Sequence, residues 1–306
     1  MAFYIGLDGG GTKTKCVVVD EQMNVLSELV GGPSNFLVFG VDNVTESLFD
    51  LITKSIKQAG IETSAIASVL LGTAGAGRKE DAERLENSFI QKANESNLPI
   101  KKFVVESDAR IALEGAFSGK PGSILIAGTG SIMFGKDSQG NIHRVGGFGR
   151  ILGDEGSGFH IGRSGLTAVA KQFDGRGETT KLTVLLKEKF NITNSKELIL
   201  AVYKDNFDVA TVAPLVIQAA EEGDFVCKKI IQTEVAELLL HIESMKKLIN
   251  EDELKISLIG GTITTDNFYA RLFRNEANNI EGVQISEPEL EPALGAALLA
   301  KEVPNA

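Results

Sequence analysis

The sequence is poor in the residue types that build disulfide frameworks and metal centres. Its 306 residues include two cysteines, three histidines and no tryptophan. The cysteines, Cys16 and Cys227, form no CxxC pair, and they give no disulfide framework. The histidines are scattered without metal-ligand spacing, at His143, His160 and His241. We therefore expect no metal cluster, and a reducing cytoplasm is the simplest location for the protein.

A surplus of positive charge is also missing. The chain has 31 Lys and Arg against 41 Asp and Glu, which gives a net charge of −10. This charge argues against nucleic acid or an anionic membrane as a partner, so an anionic substrate would need local backbone donors. No segment approaches the roughly 20 apolar residues of a transmembrane helix. Asp8 interrupts the short apolar run at the N-terminus, so we expect no signal peptide.

Short apolar runs alternate with amphipathic segments, which predicts α/β layering, and the length suggests about two domains. Predicted strands cover 3–7, 13–19, 23–30, 67–71, 102–105, 123–126, 132–135, 142–145 and 256–259. Predicted helices cover 43–59, 79–94, 107–117, 159–172, 179–190, 195–203, 209–221, 225–249 and 266–278, with a last one from Pro292. Small residues on that last helix, such as Gly295, predict close packing.

Three glycine-rich turns follow predicted strands. The first places Gly9, Gly10 and Gly11 between Asp8 and Thr12. Consecutive glycines let backbone N–H groups converge on an anion without obstruction by a Cβ atom. The spacing is not that of a P-loop, which needs a helix after the glycines.

The second turn, at 128–131, lies about one domain length after the first, and the third is at 260–262. The recurrence predicts two duplicated halves that face a common ligand. Coincidence between two glycine-rich turns is the alternative. The segment 146–158 is too rich in glycine for a strand or helix and too compact for a linker. We interpret it as a binding loop that ends at a helix start, with Asp154 near the N-cap.

The order of these turns resembles the two phosphate motifs and the adenosine motif of the ATPase superfamily that includes actin and hexokinase. Within it, the sequences GGFG at 146–149 and GDEGS at 153–157 resemble the N-acetylglucosamine kinase branch, the BadF/BadG/BcrA/BcrD group. Ser34-Asn35 and Ser107-Asp108-Ala109 fit the same branch. The resemblance spans nearly the whole chain.

The resemblance implies an α/β protein with two RNase-H-like, actin-like ATPase domains that flank a nucleotide cleft. The domains would be 1–117 with 290–306, and 118–289. It implies ATP and Mg²⁺ as cofactors, and it leaves a homodimer open. The activity would be ATP-dependent phosphorylation of N-acetylglucosamine at its 6-hydroxyl. Glucosamine, N-acetylmuramic acid and glucose remain alternative substrates, and an activator of a redox enzyme or a non-catalytic sugar sensor are the rival functions.

The resemblance also assigns roles to individual residues. Those that would contact ATP and its phosphates are Gly10, Gly11, Thr12, Gly128, Thr129, Gly130 and Gly261. Those that would bind the sugar are Asn35, Asp108, Ser131, Gly146, Gly147 and Asp154. Asp108 would take the proton from the attacking hydroxyl, and Asp8 would orient Mg²⁺ through water.

Each of these polar residues also has an ordinary structural reading. Asp108 and Asp154 could cap helices and compensate their dipoles. Asn35 could support the turn at Pro33, and Asp8 could simply end a strand.

Overall fold

The computed structural model describes residues 1–98, 100–204 and 207–303. The chain divides into two compact units. The first unit comprises Met1–Pro121 together with the C-terminal segment from Pro288, and the second comprises Gly122–Glu287. Residues 304–306, which fall in the predicted range 290–306, lie outside the described residues. Each unit contains one five-stranded sheet.

The sheet of the first unit has the order β3-β2-β1-β4-β5. Its strands are β1 (Phe3–Gly9), β2 (Thr14–Val19), β3 (Val25–Gly31), β4 (Ile66–Thr73) and β5 (Phe103–Ser107). Tight turns join β1, β2 and β3, and these strands pair antiparallel. Helical crossovers precede β4 and β5, and these strands run parallel to β1, as such connections require.

Helices cover both faces of this sheet. They are α1 (Phe36–Phe39), α2 (Val41–Ala59), α3 (Lys79–Glu95) and α4 (Asp108–Ala116). Side chains alternate along β2: Cys16 and Val18 pack with α2 and α3, whereas Val17 and Val19 face the last helix of the chain. This alternation is the period of two that a strand buried on both faces must have.

The second sheet repeats the first, strand for strand. Its strands are β6 (Gly122–Ala127), β7 (Ser131–Lys136), β8 (Ile142–Gly146), β9 (Leu254–Ile259) and β10 (Val283–Ile285). Their order is β10-β9-β6-β7-β8, with β6, β7 and β8 antiparallel and with β9 and β10 parallel to β6. The α/β duplication that the two glycine hairpins predict is therefore confirmed in the topology.

The second unit is the more helical one. Its helices are α5 (Gly158–Phe173), α6 (Leu182–Phe190), α7 (Ser195–Lys204), α8 (Ala213–Glu221), α9 (Phe225–Ile249), α10 (Gly261–Thr264) and α11 (Phe268–Ala277). The predicted apolar stripe of α9 is buried, with Ile231, Val235 and Leu238 fully inaccessible to solvent. These residues belong to one core cluster with side chains from β6, α5, α8 and α11. None of the helices in the described residues combines the length and apolar character needed to cross a membrane.

The last helix, α12 (Pro292–Glu302), belongs to the first unit and packs backbone to backbone against β1 and α4. A Cβ atom on Gly295 would lie 2.1 Å from the carbonyl oxygen of Ile111. A Cβ atom on Gly6 would lie 2.2 Å from the carbonyl oxygen of Ala293. Such distances are far below contact, so both positions exclude a side chain. The close packing predicted from the small residues of this helix is confirmed.

Several predicted boundaries were wrong for local reasons. The third strand begins at Val25 and not at residue 23, because Met23 has a left-handed backbone (φ +66°) in the preceding turn. The helix predicted from 179 begins at Leu182. The helix predicted from 209 opens with a 3₁₀ turn, Val209–Val212, before α8. Three short elements, α1, α10 and β10, were not predicted.

Substitution of Gly295 by alanine should destabilise the first unit by about 2–3 kcal/mol, because the new methyl group meets backbone that cannot rotate away. Urea unfolding followed by circular dichroism measures the change. The control is Gly77→Ala, where a Cβ atom meets nothing within 4 Å. Equal midpoints for the Gly295 variant and the wild type would contradict the close packing.

Candidate active site

The turn between β1 and β2 is held by its own backbone. The amide of Gly10 donates to the carbonyl of Lys13 (2.9 Å), and the carbonyl of Gly10 accepts from the amide of Ser34 (3.1 Å). A Cβ atom on Gly11 would meet nothing within 4 Å, and one on Gly10 would meet only the Lys13 carbonyl at 3.5 Å. The fold therefore tolerates side chains here. Their absence leaves the space over the turn open, as an anion cradle requires.

Asp8 lies at the end of β1, half buried, immediately before this turn. Burial raises the pKa of its carboxyl group, and the negative charges of Asp108 and Glu291 raise it further. Lys13 and Lys15 offset part of this effect, and the ammonium group of Lys15 is shared between Glu291 (2.7 Å) and Glu28 (2.8 Å). The structure thus places Asp8 and Asp108 in one electrostatically coupled acidic cluster.

Asp108 is the first residue of α4, and its side chain is exposed. The N-cap is Ser107, whose hydroxyl accepts from the amide of Arg110 (3.1 Å). The carboxylate of Asp108 accepts from the amide of Ala109 (2.8 Å). Because Ser107 fills the capping position, capping does not account for Asp108, and only its contribution to the helix dipole remains as the structural reading.

Asn35 precedes α1 and lies close to the same hairpin, since its neighbour Ser34 binds Gly10. Its Oδ1 atom is shielded from solvent and has no hydrogen-bond partner among the described residues. A Cβ atom on Gly75 would be 3.4 Å from this oxygen. Buried polar atoms normally have partners, so an orphaned amide oxygen is a fitting acceptor for a ligand hydroxyl.

In the second unit, the turn between β6 and β7 is docked onto two helix starts. The carbonyl of Gly128 accepts from the amide of Gly158 in α5 (2.8 Å) and from the hydroxyl of Thr262 in α10 (3.1 Å). The carbonyl of Thr129 accepts from the amide of Phe159 (3.1 Å). These bonds engage the carbonyl groups of Gly128 and Thr129 and fix the position of the β6–β7 turn.

A cavity of about 570 Å³ opens beside this turn. Gly128, Thr129 and Gly261 line one side of it, and Ala213, Pro214 and Ile217 are among the residues of an apolar wall. A Cβ atom on Gly261 would meet nothing within 4 Å. A cavity of this size, polar at one end and apolar along its wall, is typical of a small-molecule site. Gly128, Thr129 and Gly261, all predicted to contact nucleotide, share this one cavity.

The glycine-rich segment 146–158 wraps over the same turn. Gly146 and Gly147 have left-handed backbones (φ +70° and +71°), and Arg144 donates to both of their carbonyls. Asp154 also has a positive φ (+65°), which is uncommon outside glycine. A Cβ atom on Gly130 would lie 2.9 Å from a carboxylate oxygen of Asp154. The predicted sugar residue Asp154 and the predicted phosphate residue Gly130 are therefore neighbours.

Serine side chains hold this segment in place. Ser131 is buried and donates to the carbonyl of Glu155 (2.6 Å), so its own proton is committed to the loop. Ser157 is the N-cap of α5 and accepts from the amide of His160 (3.3 Å). The cap predicted near Asp154 thus lies three residues later, and Asp154 itself does not cap the helix.

Two side chains that sequence reasoning missed hold the loop by hydrogen bonds, and a third, His241, lies against it. Glu234 of α9 accepts from the amide of Gly156 (2.8 Å), and Tyr269 of α11 donates to the carbonyl of the same residue (2.5 Å). His241 of α9 presents its unpartnered Nε2 atom to Gly146, where a Cβ atom would lie 2.4 Å away. Each reaches the loop from a helix distant in sequence. In the sequence, the only signal for these side chains was that each is a polar residue on an otherwise apolar helix face.

Together, the repeated sheet order and the glycine turn after the first strand of each sheet define the class of protein. The chain has a mixed α/β, two-domain actin-like ATPase fold. A profile of the BadF/BadG/BcrA/BcrD ATPase family matches residues 5–300, and the chain belongs to this family.

Two curated relatives match over nearly their full lengths. An N-acetylmuramic acid/N-acetylglucosamine kinase from Clostridium acetobutylicum is 33% identical, over 98% of this chain and 99% of the relative. An N-acetyl-D-glucosamine kinase from Dictyostelium discoideum is 32% identical, over 97% of each chain. Among solved structures, a candidate N-acetylglucosamine kinase from Chromobacterium violaceum has a TM-score of 0.70 at 24% identity, over 98% of this chain and 99% of that one.

Replacement of Asp8 by asparagine should stabilise the ligand-free protein at pH 7. The folded state raises the pKa of this group, so ionisation disfavours folding, and the penalty develops as the pH rises above the ordinary aspartate value of about 3.9. Melting temperatures from pH 3 to 8 should show the advantage of the variant growing with pH and vanishing at the acidic end.

The matched control is Asp50→Asn, an exposed position on α2 that should show no such trend. A variant at position 8 that melts below the wild type at pH 7 would contradict the electrostatic reading.

Proposed function

We propose that this protein transfers the terminal phosphoryl group of ATP to an amino sugar, with N-acetylglucosamine as the first candidate acceptor and the 6-phosphate as product. The observation that carries the proposal is the repeated glycine turn after the first strand of each sheet, where Gly10, Gly11 and Gly128 leave the backbone uncovered although a Cβ atom would meet nothing closer than 3.5 Å. Phosphoryl transfer depends on positioning and charge neutralisation more than on covalent chemistry. The names of the full-length relatives support the choice of sugar.

The two units are proposed to be the two domains, each of which supplies one turn to the nucleotide. Gly10, Gly11 and Thr12 would contact the phosphates from the first unit, and Gly128, Thr129 and Gly130 from the second. Gly261 would lie by the adenosine, in the cavity beside α8 and α10. Bare backbone amides suit a polyphosphate because they donate without steric obstruction. The amides of Gly10 and Gly128 are bonded within their turns, so these two glycines would leave space for the phosphates while the other turn amides donate.

Asp8 fits the role of orienting a hydrated Mg²⁺, because this ion keeps several waters and needs only one or two protein carboxylates. Burial and the neighbouring acids raise the pKa of its carboxyl group, and Lys13 and Lys15 offset this only in part. When bound, Mg²⁺ would supply positive charge to the phosphate oxygens.

Asp108 is proposed as the general base that takes the proton from the attacking hydroxyl. Its carboxylate is exposed, lies in one acidic cluster with Asp8 and is not needed as the helix cap. Asn35 offers an unpartnered acceptor to a sugar hydroxyl, and Asp154 offers a carboxylate held in a strained backbone. Gly146 and Gly147 would allow close approach of the sugar to the loop, and Ser131 would support the loop through its bond to Glu155.

The rival role as activator of a redox enzyme would need accessible thiolates for an iron–sulfur cluster. Cys16 and Cys227 are both fully buried, and burial raises the pKa of each thiol to about 12. Such thiols are poor metal ligands. Buried free thiols also suit the proposed cytoplasmic location. The homodimer stays a prediction of the resemblance.

A panel of free sugars with ATP and Mg²⁺, scored for ADP release, tests the proposal. The panel contains N-acetylglucosamine, glucosamine, N-acetylmuramic acid and glucose. Sugar-dependent ADP release with an amino sugar would support the kinase, whereas ATP hydrolysis that no sugar accelerates would reject it.

Replacement of Asp108 by asparagine should lower kcat for the sugar by about 10²–10⁴-fold and leave ATP affinity unchanged, because only proton removal is lost. Steady-state kinetics and calorimetric titration with an ATP analogue give the two readouts. Glu80→Gln, an exposed acid in the first turn of α3, is the matched control. Retained turnover in the Asp108 variant would refute its role as the base.

Replacement of Gly11 or Gly261 by valine should raise the Kd for ATP at least about tenfold while leaving the melting temperature nearly unchanged. The open space above each glycine accommodates the side chain in the free protein, but a nucleotide would collide with it. Gly77→Val, at an equally open position, is the control. Wild-type ATP affinity in both variants would mean that neither turn contacts the nucleotide.

A further inference from the structure

A second, larger cavity lies wholly within the second unit, between α5 and α9, and no residue of the proposed active site lines it. Its volume is about 720 Å³. Four cationic side chains face it: Arg163 and Lys171 of α5, Arg176 of the turn that follows, and Lys229 of α9. We call this cavity the basic groove. It is a local concentration of positive charge in a chain whose net charge is −10.

Three of these four cations have no ion-pair partner among the described residues, although the acids Asp174, Glu178 and Glu234 lie in or beside the groove. Arg176 is paired with Asp174 (2.7 Å). Across the described ranges, Arg163, Lys171 and Lys229 are exposed and form no ion pair. The carbonyl groups at the C-terminus of α5 could repel an anion through their partial negative charge. Backbone amides that follow the helix donate to these carbonyls and so reduce the repulsion. Arg176 and Gly177, for example, both donate to the carbonyl of Lys171 (2.9 and 3.0 Å).

The rest of the groove is lined by both polar and apolar side chains. Hydroxyl groups of Ser164, Thr167 and Thr233 line it beside the cations. Phe225, which is 67% exposed, and Ile230 supply apolar surface. Two acids, Glu178 and Glu234, also line the groove, and the exposed Glu178 can accept hydrogen bonds from ligand hydroxyls. The set suits a ligand with an anionic end and a hydroxylated carbon skeleton.

We propose that the basic groove binds a small phosphomonoester of a sugar or polyol. The unpaired cations would hold the phosphate by charge-assisted hydrogen bonds, and the hydroxyls of Thr167 and Thr233, Glu178 and Phe225 would hold the carbon skeleton. The volume lies within the range of about 300–1,000 Å³ typical of small-molecule sites, which favours a metabolite over a peptide segment.

The floor of the groove connects to the glycine-rich loop through one residue. Glu234 is buried, with one carboxylate oxygen 2.8 Å from the amide of Gly156 and the other 3.2 Å from the hydroxyl of Ser164. Ser164 itself lines the groove. A bound phosphate repels Glu234 and competes for Ser164, so it weakens the bond that holds Gly156. Occupancy of the groove and order of the loop are therefore coupled, and the effect on sugar binding rests on the proposed function.

Calorimetric titration with glycerol 3-phosphate and, separately, N-acetylglucosamine 6-phosphate tests binding. The groove variant is the double charge reversal Lys171→Glu/Lys229→Glu. The control is Lys187→Glu/Lys189→Glu, which makes the same change of net charge on exposed positions of α6. At least one probe should bind the wild type and the control equally and the groove variant at least tenfold more weakly.

Each titration is repeated on protein preloaded with N-acetylglucosamine and a non-hydrolysable ATP analogue, and binding should persist. Equal affinity in all three proteins, loss of binding on preloading, or no binding to the wild type at millimolar concentration would overturn the proposal. Failure of the kinase assay would leave the titrations without preloading interpretable, so the two proposals fail separately.

Hydrogen exchange tests the coupling. With saturating phosphomonoester, peptides covering 150–160 should exchange faster in the wild type and be unchanged in the groove variant. Unchanged exchange in the wild type would reject the link through Glu234.

Discussion

An acidic ATPase has to supply positive potential to a polyphosphate locally, and this constraint explains much of the structure. The chain carries a net charge of −10, so it has no overall positive field to attract an anion. Single cations lie near the turns: Lys13 and Lys15 are on the first hairpin, where Glu28 and Glu291 hold Lys15, and Arg150 lines a cavity with Thr129 and Gly130. Backbone amides are the remaining donors. On the proposed function, such amides can reach a phosphate only where no side chain covers them, which would account for Gly10, Gly11 and Gly128.

In the second unit, side chains from several elements are needed to hold the irregular backbone of the segment 146–158 in one conformation. Positive φ at Asp154 is unfavourable, and such strain persists only where the surroundings over-determine it. Glu234, Tyr269 and Ser131 each bind the backbone of residues 155–156 from a different element. These bonds are buried, so they are costly to leave unmade, and they hold the carboxylate of Asp154 against Gly130.

The parts of the fold that sequence predicts are those with a local cause. Consecutive glycines between apolar runs indicate the β1–β2 hairpin, and the regular stripe of α9 indicates a buried helix. The short elements α1 and β10, with four and three residues, carry too few periods to be detected. Ser107 and Asp108 are both good capping residues, so local sequence could not tell which one caps α4 and which one is left free. Glu234 is harder still, because its partners lie 78 and 70 residues away in the chain.

The acidic cluster of the first unit is the most informative of these features, because it opposes stability. Asp8, Asp108 and Glu291 interact unfavourably, and only Glu291 is paired with a lysine. A fold selected for stability alone would replace Asp8 with a neutral residue, since a half-buried charge that Lys13 and Lys15 offset only in part costs free energy. Retaining it is reasonable when a ligand brings positive charge to the site, because binding to the folded state then returns the lost stability by mass action. The acidic cluster is therefore the part of the folded protein that a positively charged ligand would stabilise most.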